Sequence, residues 1–171
     1  MFDVTKVQVY IAISLDGYIA REDGSVDWLP QNSESSYDAF YNIVDTVIMG
    51  QTTYNQILTF GAYPYKDKKS FVFTKNNQGN DDYAEFLSSV EKFVKDGFPG
   101  AGENIWVVGG SKIIESFLKQ GAIDEITLTV IPVILGKGIA LFQNGSKETK
   151  LELVKTEKFG QLVDLHYKVT K

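Results

Sequence analysis

The chain has 171 residues, is 43% hydrophobic and carries 17 basic against 22 acidic side chains, a formal net charge of −5 at pH 7. That balance argues against a general nucleic-acid or anionic-membrane surface, so an anionic ligand must be held by local geometry. No cysteine, signal-like N-terminus or membrane-length apolar run is present, which excludes a disulfide framework and a thiolate metal site and leads us to expect a soluble cytoplasmic protein.

At this length one domain, residues 1–171, with a sizeable core is expected. Residues 6–14 (KVQVYIAIS) form a nearly unbroken apolar run, as in a central strand buried on both faces. Leu15-Asp16-Gly17-Tyr18 is a turn, after which Ile19 and Ala20 return to apolar character. Residues 21–32 read as a long loop, with the turn signal Asp23-Gly24 followed by Trp28-Leu29-Pro30 in polar surroundings. Such a loop after a central strand is a candidate functional segment, although Trp28 could equally tack it onto the core.

Ser33 or Ser35 can cap the next helix, where Tyr37, Phe40, Tyr41 and Val44 repeat at helical spacing. Residues 46–49 (TVIM) are a second buried strand ending at Gly50, and Gln51-Thr52-Thr53 opens a helix carrying Tyr54, Ile57 and Leu58. A third strand, residues 70–74, runs into Lys75. Residues 82–95 read as one helix with Tyr83, Leu87, Val90 and Val94 on one face. Residues 105–108 (IWVV) form another strand, and Gly109-Gly110 leads into an amphipathic helix from Ser111, with Ile113, Ile114, Phe117 and Leu118 on one face and Gly121 past its end.

Beyond that helix the pattern changes. Residues 125–133 alternate loosely, and Pro132 suggests an edge or a bulge. Residues 151–158 and 162–169 form a hairpin whose second arm alternates Val163, Leu165, Tyr167 and Val169 with Asp164, His166 and Lys168, a half-exposed edge strand. The fold class is therefore α/β, with a central, mostly parallel sheet flanked by helices and an antiparallel C-terminal hairpin.

Three strand ends carry ligand signals: Gly50 to Thr53, Thr74-Lys75 and Gly109 to Lys112. Open α/β sheets bind ligands outside the carboxyl ends of their strands, and free amides at two helix starts suit the two halves of a pyrophosphate. Lys75 adds a site for a further phosphate, so the pattern points to a dinucleotide. Read singly, a Gly-Gly turn can be only a tight connection and Lys75 only a solvated lysine; neither a G-x-G-x-x-G nor a Walker A pattern is present. No cluster has metal-ligand spacing, so no metal is expected. His166, the only histidine, is assigned no catalytic role.

The order of SLDGYIA (14–20), VIMGQTTY (47–54) and VVGGS (107–111) resembles the dihydrofolate reductase superfamily, and residues 126–142 (ITLTVIPVILGKGIALF) are similar to the reductase domain of bacterial riboflavin biosynthesis and its stand-alone relatives. The resemblance spans essentially the whole chain. It implies a reductase that uses NADPH to pass a hydride to a small heterocycle, pteridine or aminopyrimidine-like, at a CH–NH, C=N or C=O group. It places Ala12, Ile19 and Ala20 against the nicotinamide, Gly50, Gln51, Thr52 and Thr53 at the pyrophosphate, and Thr74 and Lys75 at the 2′-phosphate. Val108, Gly109, Gly110, Ser111, Lys112 and Ile113 form the glycine turn over the cofactor. Trp28 and Leu29 match the mobile loop over the active site and, with Tyr37, are the candidate substrate contacts.

Two departures stand out. Gln51 replaces the family's usual arginine, removing one cationic contact to the phosphates. Glu34 falls at the place of the pterin-gripping acid in a gapless count, but the helix around it matches poorly, and it reads equally as a first-turn acid favoured by the helix dipole. Glu34 and Asp27 are the candidate proton donors; Asp16 is a third, with an equally good role as a turn residue. Leu151, Leu153, Val163, Leu165 and Tyr167 offer apolar surface for a homodimer, which the riboflavin-type resemblance also implies. The alternative to a reductase is a nucleotide-binding protein of the same fold without turnover.

Overall fold

The computed structural model describes residues 4–31, 33–76 and 79–171. The chain runs β1 (Lys6–Ser14), β2 (Tyr18–Ala20), α1 (Tyr37–Ile43), β3 (Thr46–Gly50), α2 (Gln51–Leu58), β4 (Lys69–Phe73), β5 (Glu85–Leu87), α3 (Val90–Lys95), β6 (Asn104–Gly109), α4 (Ser111–Lys119), β7 (Glu125–Ile131), β8 (Ile139–Ala140), β9 (Leu151–Phe159) and β10 (Leu162–Val169). Eight strands form one sheet in the order β5-β4-β3-β6-β1-β7-β10-β9. Its first six strands are parallel, and β10 and β9 add antiparallel to β7. The expected class, a parallel centre with an antiparallel C-terminal pair, is the one observed.

The apolar run of β1 is accounted for by its place: β6 and β7 pair with its two edges and side chains cover both faces. Val7 and Val9 enter one core with Ile105, Val107, Ile114 and Phe117. Tyr10 points to the opposite core with Val47, Met49, Tyr54 and Trp106, as period-two alternation along a strand requires. The apolar stripe of α4 closes the first core, and fully burying a side chain such as Phe117 contributes about 2–3 kcal/mol. Aromatic rings fill the second: Tyr10 stacks on Phe40 with centroids 4.6 Å apart, and Tyr37 meets Trp106 edge-on at 5.8 Å.

Four local expectations are corrected. Residues 82–95 are not one helix, because residues 85–87 pair in parallel with β4 before α3 begins. Asp81 sets the turn ahead of them by accepting hydrogen bonds from the amides of Tyr83 and Ala84, and the Ser89 hydroxyl caps α3 by accepting from the Lys92 amide at 3.1 Å. Pro132 marks no edge or bulge, since β7 lies between β1 and β10 and ends one residue earlier, where no ladder amide is needed. Residues 162–169 are not an edge strand either: β9 forms the edge, and Asp164 is completely buried. Finally, the N-cap position of α1 is Ser36 rather than Ser33 or Ser35, but its hydroxyl is turned away from the helix amides, and it is the Ser35 hydroxyl that accepts from the Tyr37 amide, at 3.3 Å.

A small second sheet pairs β2 with β8. It depends on Gly138, whose φ is +150° and where any Cβ would collide with the Ala20 carbonyl. Among the described residues no helix is long and apolar enough to cross a membrane.

Candidate functional site

Adjacent strands β3 and β6 send their following helices to opposite faces of the sheet. Tyr54 and Ile57 of α2 join the Tyr10 core, while Ile114 and Phe117 of α4 join the Val9 core. The divergence opens a crevice at the carboxyl ends of the strands, where α/β sheets bind ligands. The resulting cleft holds about 1280 Å³, more than the roughly 300–1,000 Å³ of a pocket for one small ligand. It has room for a dinucleotide and a second molecule.

Both helix starts open onto this cleft. Gly50 caps α2 and Gly110 caps α4, in each case in extended conformation and without a side-chain hydrogen bond. The first-turn amides therefore have no side-chain acceptor, and the helix dipoles add partial positive charge. The two starts touch: a Cβ on Gly50 would lie 3.0 Å from Ile113 Cγ1, and one on Gly110 would lie 3.5 Å from Thr53 Oγ1. Gly109 has φ +135°, a conformation that favours glycine, and the Gly109–Gly110 peptide is cis. Among the described residues no acidic side chain lies in the first turn of either helix. The donor set fits a pyrophosphate.

The structure brings together Ala12, Ile19, Ala20, Gly50, Gln51, Thr52, Thr53, Thr74, Lys75 and residues 108–113 along this one cleft. Gln51 turns its amide to Asn55 Oδ1 at 2.7 Å, within its own helix. Lys75 is exposed and makes no ion pair among the described residues. Ser88, Ser89 and Glu91 also line this arm. The single-helix reading of 82–95 hid them; Ser88-Ser89 ahead of an apolar pair is the capping signal that could have found them.

The other arm, toward α1, is walled by Tyr10, Tyr37, Tyr65 and Trp106, with Val26, Leu29 and Phe60 at the loop side. Gln56 Nε2 ties the 21–30 loop to α2 by donating to the Gly24 carbonyl at 2.9 Å. Leu29 lines the arm, whereas Trp28 is half-buried beside it and does not. Asp27 and Glu34 are both exposed and lie outside the lining. Asp27 is engaged by Arg21 at 2.6 Å, and that hydrogen bond first of all holds its carboxyl below the usual range. Asp16 accepts from Ser14 Oγ at 2.6 Å and, across the fold, from the amides of Leu135 and Gly136 at 3.1 and 2.8 Å, so it ties its turn to the 135–136 loop.

One carboxylate that sequence reasoning passed over stands behind the aromatic arm. Asp164 accepts from Ser36 Oγ at 2.5 Å and from Thr129 Oγ1 at 2.6 Å, and Ser36 Oγ lies 2.9 Å from the Tyr10 hydroxyl. With its one hydroxyl hydrogen donated to Asp164, Ser36 Oγ is left to accept from Tyr10. Burial first of all raises the Tyr10 pKa. The chain of bonds ties the start of α1 to the sheet and holds Tyr10 in the wall. Ser36 and Asp164 are 128 residues apart, so no local pattern announces the contact. His166 sits elsewhere, its Nδ1 2.9 Å from Thr127 Oγ1 and its Nε2 3.1 Å from Glu157 Oε1.

Residues 98–165 match the model of the RibD C-terminal domain family. Over 168 residues the chain is 44% identical to "Uncharacterized protein YwjB" of Bacillus subtilis, covering 95% of this chain and 97% of that protein. It is 30% identical to "Uncharacterized protein YyaP" of the same organism, covering 90% and 89%. Among solved structures it is similar to a putative riboflavin biosynthesis protein from Shewanella (TM-score 0.81, 28% identity, 98% of this chain and 100% of that one). It shares its fold with dihydrofolate reductase from Enterococcus faecalis complexed with NADP(H) (TM-score 0.67, 18% identity, 97% of each chain). It also shares its fold with a Thermotoga maritima diaminohydroxyphosphoribosylaminopyrimidine deaminase/5-amino-6-(5-phosphoribosylamino)uracil reductase (TM-score 0.73, 19% identity, 98% of this chain and 57% of that one).

Proposed function

The chain belongs to the RibD C-terminal domain family, within the dihydrofolate reductase-like superfamily, and we propose that it is an NADPH-dependent oxidoreductase acting on a small heterocycle. The observation that carries this reading is the pair of uncapped helix starts opening onto one cleft, at Gly50 and Gly110. The amides there would hold the pyrophosphate, with Thr52, Thr53 and Ser111 adding hydroxyls. Lys75 would face the 2′-phosphate. Ala12, Ile19 and Ala20 would bed the nicotinamide beside the aromatic arm. When bound, that cofactor supplies the hydride, and the protein fixes distance and angle.

The rest of the chemistry falls to this chain's own side chains. Val26 and Leu29 would cover the reacting ring and exclude water. A proton must still reach the substrate nitrogen or oxygen. Asp27 and Glu34 are outside the lining, and Tyr37 and Tyr65 are among the residues that line the substrate arm. Among the described residues no carboxylate lines the substrate arm, which favours the second reading, nucleotide binding without turnover. Calorimetry and NADPH oxidation separate the two: NADPH raises the melting temperature in both, because a ligand of the folded state stabilises it by mass action, but only a reductase oxidises it when a substrate is supplied. Millimolar NADPH with neither a thermal shift nor binding heat would refute both.

A further inference from the structure

The two arms of the cleft differ in charge, and the difference bears on the substrate. The charged lining side chains, Lys75, Glu91, Lys112 and Lys119, all lie on the arm formed by β4, α3 and α4. Among the described residues, no charged side chain lines the aromatic arm. Of the cations near it in the chain, Arg21 is bound to Asp27 at 2.6 Å, Lys68 lies 3.4 Å from Asp67 and 4.3 Å above the Tyr41 ring, and Lys66 is exposed and outside the lining. In the proposed reading both uncapped helix starts are already occupied by the cofactor's pyrophosphate.

Resting on that reading, we infer that the substrate is a flat, electrically neutral ring that carries no phosphate. A phosphate in the aromatic arm would lose its water without gaining a lining cation, and the helix that starts there, α1, carries Asp38 in its first turn, which disfavours an anion. A flat ring is well matched to Tyr10, Tyr37 and Trp106, and to Phe60, which at 66% exposure is an apolar surface open at the mouth of the cleft. The hydroxyls of Tyr37 and Tyr65 have no protein partner among the described residues and are left to bind the polar edge of such a ring. Burial raises both their pKa values, so they remain neutral partners. The inference separates this chain from the Thermotoga protein, whose named substrate carries a phosphoribosyl group.

The test is calorimetric, on the full chain with and without saturating NADPH. The probes are three matched pairs of increasing ring size: pyridoxine, 6-hydroxymethylpterin and riboflavin, each against its own 5′- or side-chain monophosphate. With NADPH bound, at least one neutral member binds and its phosphate binds at least tenfold more weakly. Phe60→Arg, at an exposed position where folding is undisturbed, narrows that ratio at least threefold by supplying the missing cation. A phosphate member that binds as well as its neutral partner, or a panel in which no neutral ring binds at millimolar concentration, overturns the inference. So does a Tyr37→Ala variant that binds the ring unchanged. NADPH failing to bind overturns the dinucleotide reading instead, and the Phe60→Arg comparison in its absence still reports on the charge of this arm.

Discussion

Gly110 separates a structural turn from a binding surface because a side chain there is free for the fold and costly for a ligand. Its φ of −77° is one any residue adopts, and an added Cβ would meet only Thr53 Oγ1, at an ordinary 3.5 Å. Gly110→Ala should therefore keep its stability or gain about 0.5 kcal/mol from the stiffer unfolded chain. Gly50→Ala provides the contrast: its Cβ would press on Ile113 Cγ1 at 3.0 Å, and overpacking of this kind costs about 1 kcal/mol. For NADPH the order reverses. A methyl at Gly110 stands over the uncapped first turn of α4, and losing one charge-assisted amide–phosphate bond costs about 2 kcal/mol. That is about thirtyfold in Kd. Gly110→Val, with two more methyls, should leave no measurable NADPH binding. Urea unfolding gives the stability and isothermal titration the affinity. A Gly110→Val protein with wild-type urea midpoint and wild-type affinity would show that the turn is only a connection.

Lys75→Ala should weaken NADPH several-fold and leave NADH nearly unchanged, since one exposed ion pair contributes on the order of 1 kcal/mol; the preference should shrink with added salt, and equal losses for both cofactors would place Lys75 outside the phosphate site. Asp164→Ala should cost about 3 kcal/mol in urea unfolding, because it leaves the Ser36 and Thr129 hydroxyls without their acceptor, while Asp164→Asn should retain part of that stability; a loss below 0.5 kcal/mol, on the scale of a surface substitution, would contradict the network. Asp16 is held below the usual carboxyl range, first by the Ser14 hydroxyl and also by two backbone amides. Its folded pKa is lower than its unfolded one, so its contribution is present above the unfolded value and is lost as pH falls through the folded one. Asp16→Asn should accordingly lose less of its urea midpoint than wild type between pH 6 and pH 3. Finally, we propose that two copies pair through the C-terminal strands, where Leu151, Leu153 and Val154 of the edge strand are 39–53% exposed; sedimentation at micromolar concentration should give a dimer, and Leu153→Lys should dissociate it.

The sequence by itself determined most of the strands, and helices α2 and α4 after β3 and β6, because their signals are local. A short apolar run rich in β-branched residues and bounded by turn signals reads as a buried strand, and a glycine between it and an amphipathic stretch reads as a turn. Gly50 with α2 and Gly109-Gly110 with α4 were legible on those grounds, and so was the shared side of the sheet on which they open. Residues 82–95 misled because Tyr83, Leu87, Val90 and Val94 fall at helical spacing by coincidence; the parallel pairing of residues 85–87 with β4 is a long-range hydrogen-bond pattern that periodicity does not encode. Asp164 misled for a deeper reason. Alternation assigns a side chain to a face of its strand, and only tertiary structure decides whether that face is wet. Here the start of α1 brings Ser36 against the polar side of β10, and Thr129 of the neighbouring strand completes the acceptor's shell, so a residue read as exposed is buried and satisfied. The charge asymmetry of the cleft was likewise decided in three dimensions, since Arg21 and Lys68 are cations in the chain but partners of Asp27 and Asp67 in the fold.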